Sequence, residues 1–164
     1  MKIGVYAGTF DPITNGHLDI AQRASRLFDR IIIAVAEDNY KQPLFSVHER
    51  CGMIAEAVAE MPGIDNIEVA AFSGLLVDYC KEQGASSIIR GLRAVSDFDQ
   101  EFQMALFNRS LEKAIDTVFL MSGSRYLFIS SSIIRQSAML GASVSNLVPG
   151  SVDRALRVKY HGSC

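Results

Sequence analysis

The chain has 164 residues, which is long enough for one domain with a substantial hydrophobic core. Hydrophobic residues make up 49% of it, which excludes a disordered chain and predicts a folded globular protein. The net charge of −2 excludes a general nucleic-acid-binding protein, because such a protein presents a basic surface.

The first residues show no sign of export or of membrane insertion. Met1 and Lys2 lead directly into an apolar run without the pattern of a signal peptide. The apolar block at residues 31–36 is far too short to span a bilayer. The cysteines form an odd set without close pairing, which favours a reducing compartment. We therefore expect a cytoplasmic protein with no membrane partner.

Short β-branched runs alternate with amphipathic stretches along the chain. Residues 30–36 are continuously apolar apart from Arg30, which is typical of a strand buried on both faces. Ser46 and Glu49 have the spacing of a capping box at a helix start. The predicted strands are 3–7, 30–36, 67–71, 87–90 and 117–121, and the predicted helices are 16–28, 46–60, 74–83, 98–113, 130–140 and 149–158. This order predicts an α/β fold, a Rossmann-like three-layer sandwich with a five-stranded parallel sheet, as a single domain over residues 1–164.

The segment after the first predicted strand carries the clearest functional signal. A Gly-Thr-Phe-Asp-Pro run is followed by Thr-Asn-Gly-His at the start of a helix. Thr9 offers a hydroxyl and an N–H, either Thr14 or Asn15 could cap the helix, and Gly16 leaves room for a ligand beside His17. Because a helix N-terminus favours negative charge, this junction indicates phosphate binding. The first run alone could equally be an ordinary strand-to-helix turn.

Two further segments follow predicted strands and also favour anions. Arg90 and Arg93 come after the fourth strand, and the guanidinium group matches phosphate oxygens in shape. Ser130, Ser131 and Ser132 begin a helix and bring several hydroxyl and N–H donors to its N-terminus. Taken singly, these would be a surface pair and an ordinary N-cap. In parallel sheets, however, ligands bind beyond the carboxyl ends of the strands, so we expect all three segments to meet at one edge.

The Thr-x-Gly-His motif resembles that of the nucleotidyltransferase superfamily, which is marked by (His/Thr)-x-Gly-His. With Gly-Thr-Phe-Asp-Pro just upstream, the chain resembles the bacterial phosphopantetheine adenylyltransferase branch in particular. The resemblance continues in the same order through Lys41, residues 89–94, residues 97–98 and residues 128–132, and it covers nearly the whole chain. It implies transfer of the adenylyl group of ATP to 4′-phosphopantetheine, giving dephospho-coenzyme A and pyrophosphate, with Mg²⁺ as cofactor.

The resemblance also implies roles for individual residues. Thr9, His17, Lys41 and Arg93 would be catalytic. Thr9 and Lys41, together with Leu76 and Arg90, would bind the phosphopantetheine substrate. The residues implied in ATP binding are Thr9, Phe10, His17, Gly91, Leu92, Arg93, Glu101, Tyr126, Leu127, Phe128, Ile129, Ser130, Ser131 and Ser132.

The sequence pattern alone also allows some of these residues to have no part in a site. Lys41 could be a solvated loop charge, Glu101 a solvent-facing acid on a helix, and Leu76 a core residue. Leu127 departs from the family, because many members carry a serine between the two flanking aromatic residues. This departure places Leu127 in doubt as a ligand contact but leaves the serine run intact.

The implied chemistry needs no strong general base, because the phosphate nucleophile is already ionised near neutral pH. We expect direct in-line attack on the α-phosphorus of ATP, with catalysis by positioning and charge stabilisation. His48 and Cys51 could share a helix face, but no further ligand supports a protein metal site. Magnesium would therefore be held mainly by substrate phosphates and water.

Several alternatives remain open at this point. The chain could adenylylate or cytidylylate another phosphate, such as a nicotinamide mononucleotide or glycerol phosphate, although those relatives generally carry His in place of Thr14. It could also be a non-catalytic nucleotide sensor or an oligomeric scaffold. Beyond ATP and phosphopantetheine, the resemblance implies a homohexamer and feedback binding of coenzyme A.

Overall fold

A five-stranded parallel sheet forms the centre of the protein, as the computed structural model shows for residues 1–37, 42–93 and 95–162. The strands are β1 (Ile3–Gly8), β2 (Arg30–Ala36), β3 (Ile67–Phe72), β4 (Ser87–Leu92) and β5 (Asp116–Met121). Their order across the sheet is β3-β2-β1-β4-β5, and every neighbouring pair is parallel. The chain therefore reverses its direction of winding between β1 and β4, which is where such sheets open a crevice for ligands.

In the described ranges, six helices cover the two faces of this sheet. They are α1 (Asn15–Ala24), α2 (Val47–Ala59), α3 (Leu76–Glu82), α4 (Val95–Leu111), α5 (Ser131–Met139) and α6 (Gly150–His161). None of the helices in the described ranges has both the length and the apolar character needed to cross a membrane. The predicted alternation of strands and helices is confirmed, and so is the three-layer α/β fold.

Alternate residues of the strands build two separate cores. Ile33 and Ile89 face a core that also includes residues of α1, α2, α5 and α6. Val5, Ile32 and Ile88 face the other side, where they pack with residues of α3. Because β1 and β2 are apolar on both faces, their sequences read as continuous hydrophobic runs.

The predicted capping box at the start of α2 is present. The Ser46 hydroxyl accepts from the backbone N–H of Glu49 at 3.2 Å, and the Glu49 carboxylate accepts from the backbone N–H of Ser46 at 2.7 Å. These two bonds satisfy helix donors that would otherwise lack partners.

Several element boundaries differ from the prediction. The first helix ends at Ala24 rather than at residue 28, because the backbone N–H groups of Leu27 and Phe28 both turn back to the Ala24 carbonyl. After this turn, the Phe28 ring lies 3.1 Å from the point where a Cβ on Gly4 in β1 would stand. The fourth helix begins at Val95 rather than at residue 98. A single 3₁₀ turn over Ser124–Tyr126 has no counterpart in the prediction.

Helix α4 carries apolar side chains that this chain leaves exposed. The apolar spacing correctly predicted a helix, but Phe98, Phe102 and Leu106 on one side are each more than two fifths exposed. Phe107 and Leu111 are similarly exposed on another side. Together with the similarly exposed Met104, we call these the exposed apolar residues of α4. Contiguous apolar surface of this kind commonly marks a contact with another molecule.

Candidate active site

A cavity of about 320 Å³ lies at the carboxyl ends of β1 and β4. The loop after β1, the first turn of α1, the end of β4 and the first turn of α5 all border it. Among the residues singled out from the sequence, those lining the cavity are Thr9, Phe10, His17, Arg90, Gly91, Arg93, Glu101, Tyr126, Ile129, Ser130, Ser131 and Ser132. The three anion-favouring segments therefore meet at one edge of the sheet, as expected from their positions after strands.

Four of the residues singled out lie elsewhere, and a fifth is not among the described residues. Leu92 is buried within β4, because this strand is longer than predicted. Leu127 is 43% and Phe128 62% exposed, and neither lines the cavity. Leu76 is half-buried at the start of α3, against the core on the far face of the sheet. Lys41 lies outside the described residues.

His17 is held by a hydrogen-bonding arrangement at the start of α1. The N-cap is Thr14 rather than Asn15, and its hydroxyl accepts from the backbone N–H of His17 at 3.3 Å. In return, the Nδ1 atom of His17 accepts from the backbone N–H of Thr14 at 3.1 Å. An imidazole in the place usually taken by Glu or Gln thus completes a capping box.

This arrangement determines which nitrogen of His17 carries the proton. Because Nδ1 is an acceptor, a neutral ring must carry its hydrogen on Nε2. Burial, with Arg93 and Arg90 nearby, lowers the pKa of His17 to about 4, so the ring is neutral at pH 7. His17 can therefore offer the cavity a neutral Nε2–H donor.

The residues around His17 fix the position of the ring. The Phe10 ring meets it edge-on with 5.2 Å between centroids. Phe10 is buried and has a φ of 47°, in the left-handed region that a bulky residue adopts only when its surroundings require it. A Cβ on Gly16 would stand 3.3 Å from the Cβ of Tyr126, so this glycine lets the first turn of α1 lie against the 3₁₀ turn.

The two arginines are oriented by acidic and carbonyl partners. Arg90 bonds Glu101 through Nη2 at 2.5 Å and Nε at 2.6 Å, and its Nη1 donates to the Ala7 carbonyl at 2.8 Å. Burial works against its charge, but the hydrogen bonds to Glu101 raise the pKa of Arg90 overall. Arg93 donates to Asp97 at 3.2 Å and to the Ile129 carbonyl at 3.1 Å. Glu101 is thus the partner of Arg90 and not a solvent-facing acid.

The three serines at the start of α5 differ in what they do. Ser130 is the N-cap, and its hydroxyl accepts from the backbone N–H of Ile133 at 3.2 Å. The Ser131 hydroxyl donates to the Pro12 carbonyl at 2.8 Å, which ties α5 to the loop after β1. The Ser132 side chain is exposed. What α5 presents to the cavity is therefore mainly its N-terminus, with the backbone N–H groups that a helix start leaves available for an anion.

Asp11 was not singled out as a site residue, although it lines the cavity and is 4% exposed. Its carboxylate accepts from the backbone N–H groups of Leu44 at 2.8 Å and Phe45 at 2.9 Å, and it lies 3.3 Å from the Arg135 guanidinium. These contacts join the loop after β1 to the segment before α2 and to α5. Nothing in the local sequence distinguishes Asp11 from an ordinary Asp-Pro turn.

Arg50 was also missed, and it is 1% exposed. Its Nε donates to the Phe45 carbonyl at 3.1 Å, and its Nη1 donates to the carbonyls of Thr9 at 2.7 Å and Ala36 at 3.0 Å. The guanidinium therefore connects the end of β2, the approach to α2 and the loop that borders the cavity. One signal was available, because Arg50 shares the helical phase of the buried Met53 and Ile54.

Known proteins match nearly the whole length of this chain. A family model described as cytidylyltransferase-like matches residues 5–137. A phosphopantetheine adenylyltransferase of Methylococcus capsulatus is 57% identical over 97% of this chain and 96% of its own. One of Moorella thermoacetica is 52% identical over 98% of both chains.

Solved structures share the fold at much lower identity. A nicotinic acid mononucleotide adenylyltransferase of Plasmodium falciparum, complexed with NaAD, superposes with a TM-score of 0.72 at 18% identity. That match covers 97% of this chain and 95% of the other. A bifunctional NMN adenylyltransferase/ADP ribose pyrophosphatase of Francisella tularensis gives a TM-score of 0.65 at 17% identity, over 98% of this chain and 51% of the other. At such identities the likeness concerns the fold alone.

Proposed function

Because this chain belongs to the phosphopantetheine adenylyltransferase family, we propose that its cavity at the β1–β4 crevice is where ATP meets 4′-phosphopantetheine. The enzyme transfers the adenylyl group of ATP to this acceptor in coenzyme A biosynthesis. The observation that carries the proposal is the convergence of His17, Arg90, Arg93 and the α5 N-terminus on one cavity. We infer one catalytic domain over residues 1–164, supported by the single sheet.

The transfer proceeds by direct in-line attack. An oxygen of the acceptor phosphate attacks the α-phosphorus of ATP, and the bond to pyrophosphate breaks. The nucleophile is already ionised, so the chain has to position the two phosphates and stabilise the charge that builds up between them. The Nε2–H of His17 donates to an α-phosphate oxygen, with Thr9, Arg93 and Lys41 as further donors.

Arg90 takes the acceptor phosphate in this proposal. Of its five N–H groups, three are directed to Glu101 and Ala7. The remaining two belong to the Nη1 and Nη2 atoms, and they can bind phosphate without displacing Glu101. Glu101 thereby holds the guanidinium in a fixed plane, and the nucleotide lies on the side of Arg93 and α5.

Magnesium is the proposed cofactor, carried by the substrate phosphates. Within the described ranges, no group of three or more His, Cys, Asp or Glu side chains could hold a metal ion. The acidic residues lining the cavity, Asp11 and Glu101, are already bonded to backbone N–H groups and arginines. When bound, the ion would neutralise phosphate charge, while His17, Arg93 and the α5 N-terminus bind and orient the phosphates.

The direct test is pyrophosphate release from ATP and magnesium, measured with and without 4′-phosphopantetheine. Release only with 4′-phosphopantetheine is expected. A matched reaction with nicotinamide mononucleotide separates this acceptor from the one named for the Francisella tularensis neighbour. Release with nicotinamide mononucleotide instead would overturn the proposed acceptor, and tight ATP binding without any release would favour a nucleotide sensor.

Replacing Arg90 with alanine should weaken acceptor binding selectively. We expect the KM for 4′-phosphopantetheine to rise about tenfold or more, while the KM for ATP changes less than about threefold. Arg30→Ala is a matched control, because Arg30 forms a similar two-bond pair with Glu68 on the sheet but does not line the cavity. If the acceptor kcat/KM stays unchanged in Arg90→Ala, Arg90 does not bind the acceptor phosphate.

The remaining proposals concern assembly, regulation and location. The exposed apolar residues of α4 support a homo-oligomer, and we propose a hexamer, to be checked by light scattering on the 18.0 kDa chain.

Coenzyme A shares the pantetheine portion of the substrate, so we propose that it competes for the same cavity as a feedback ligand. A competition assay against 4′-phosphopantetheine measures this. Cys51 and Cys80 are unpaired among the described residues, which is in keeping with a cytoplasmic enzyme and can be checked by cell fractionation.

A further inference from the structure

Tyr6 combines a buried ring with a hydroxyl group that has no internal partner. The residue lies in β1, is 5% exposed, and packs edge-on against Phe10 with 5.3 Å between ring centroids. Among the residues that the structure describes, none forms a hydrogen bond with its hydroxyl. Among the described residues the one side-chain polar atom both fully enclosed and unpaired is the Ser151 hydroxyl, so the Tyr6 hydroxyl is open to the cavity and not sealed in the core. The hydroxyl therefore calls for a partner from outside the chain.

The position of this hydroxyl points to the bound substrate as that partner. Tyr6 lines the cavity beside His17 and Gly91. Its hydroxyl oxygen lies 3.7 Å from the point where a Cβ on Gly91 would stand, with the Ile20 side chain 3.0 Å from that point, so the hydroxyl is close to the Gly91 backbone at the cavity wall. The Tyr6 and His17 rings are 6.5 Å apart between centroids, so both present polar atoms to the same part of the cavity.

The Tyr6 hydroxyl can donate a hydrogen bond, because burial keeps it protonated. Burial raises the pKa of Tyr6 far above its usual range, although Arg90 nearby acts in the opposite direction. The hydroxyl therefore keeps its proton at neutral pH. With Arg90 and Arg93 on the same side of the cavity, the group that belongs next to this donor is an anionic oxygen.

We propose that the Tyr6 hydroxyl donates a hydrogen bond to a phosphoryl oxygen of the bound substrates, beside the Nε2–H of His17. This inference rests on the proposed function of the cavity. No proton is transferred, and the tyrosine acts as a fixed donor to charge that grows during the reaction. The phosphoryl oxygen can belong to ATP or to 4′-phosphopantetheine, and the two sources can be separated by experiment.

The test compares Tyr6→Phe, which removes only the hydroxyl, with Tyr160→Phe on α6, away from the cavity. In Tyr6→Phe we expect kcat/KM to fall by at least about tenfold, because removing one fixed donor to developing charge costs on the order of a hundredfold or more in an oxyanion hole. The increase in Tm caused by the ligand should also be smaller, because it depends on affinity. This increase in Tm is measured with Mg-ATP alone and with 4′-phosphopantetheine alone. The ligand whose Tm increase becomes smaller in Tyr6→Phe is the one that supplies the phosphoryl oxygen. Tyr160→Phe should match the wild type.

The Tm of the ligand-free protein distinguishes a substrate contact from a structural one. Because the Tyr6 hydroxyl forms no hydrogen bond within the chain, its removal should not destabilise the fold. The Tm of ligand-free Tyr6→Phe should therefore equal or exceed that of the wild type. A lower Tm without ligand would overturn the proposal, and so would a kcat/KM within about twofold of the wild type together with an unchanged ligand-induced Tm shift. If the wild type released no pyrophosphate, the proposed function would fail, and the ATP-induced shift alone would decide the role of Tyr6.

Discussion

Replacing His17 with alanine is expected to lower kcat by about a hundredfold or more, with only a modest change in the KM for ATP. The Nε2–H is a fixed neutral donor, since its partner atom Nδ1 is engaged by the backbone N–H of Thr14. Such a donor contributes most when negative charge grows on the α-phosphate, and less when ATP is merely bound. Steady-state kinetics at saturating 4′-phosphopantetheine measures both quantities.

The same substitution also removes half of the capping box of α1, so stability must be separated from catalysis. His17→Gln is the matched variant, because a glutamine at this position can still accept from the backbone N–H of Thr14. We expect His17→Ala to lose about 1 kcal/mol of stability and His17→Gln to lose less, while both lose most of their kcat. Near-normal kcat in a folded His17→Ala would remove the imidazole from the mechanism.

Replacing Arg50 with alanine is expected to cost roughly 3–5 kcal/mol of unfolding free energy. Its guanidinium is 1% exposed and donates to three backbone carbonyls, of Thr9, Ala36 and Phe45. Without it, these carbonyls lose a charged donor in a buried setting, and the volume of a long side chain becomes a cavity. Urea denaturation at a fixed protein concentration measures the change.

Two further variants show whether this effect comes from burial and geometry. Arg154 is an exposed arginine paired with Glu56, so Arg154→Ala should change the stability by less than about 1 kcal/mol. Arg50→Lys keeps the charge but loses the planar fork, so it should recover only part of the loss. Equal stability of Arg50→Ala and the wild type would show that the three carbonyls find other partners.

The parts of the fold that local sequence determines were predicted well. The β-branched runs of β1 and β2 and the Ser46–Glu49 capping box depend on residues close together in the chain. Convergence of the site was also predictable, because each anion-favouring segment directly follows a strand or begins a helix. By contrast, the pairing of Arg90 with Glu101 and the anchoring by Asp11 and Arg50 depend on where distant segments meet, which no local pattern encodes.

Helix α4 shows another limit of sequence patterns. Apolar spacing predicts that a helix forms, but it does not say what covers the apolar side chains. Phe102 and Leu106 follow a helical pattern and are nevertheless exposed in the single chain. The position of Leu76 against the core on the far face of the sheet agrees with the sequence pattern, and its role toward the substrate stays a prediction.

The seam between β1 and β4 has a consequence for when activity can arise during folding. The two strands share three register pairs, against six between β1 and β2, and the Arg90–Ala7 bond across the seam joins residues 83 positions apart. Such long-range pairing requires a large loop to close, so it forms slowly and late. A chain still emerging from the ribosome can build β1, α1 and β2 with His17 in place, yet it lacks Arg90. The enzyme therefore becomes competent only when the second half of the sheet docks, and no partly folded intermediate should consume ATP.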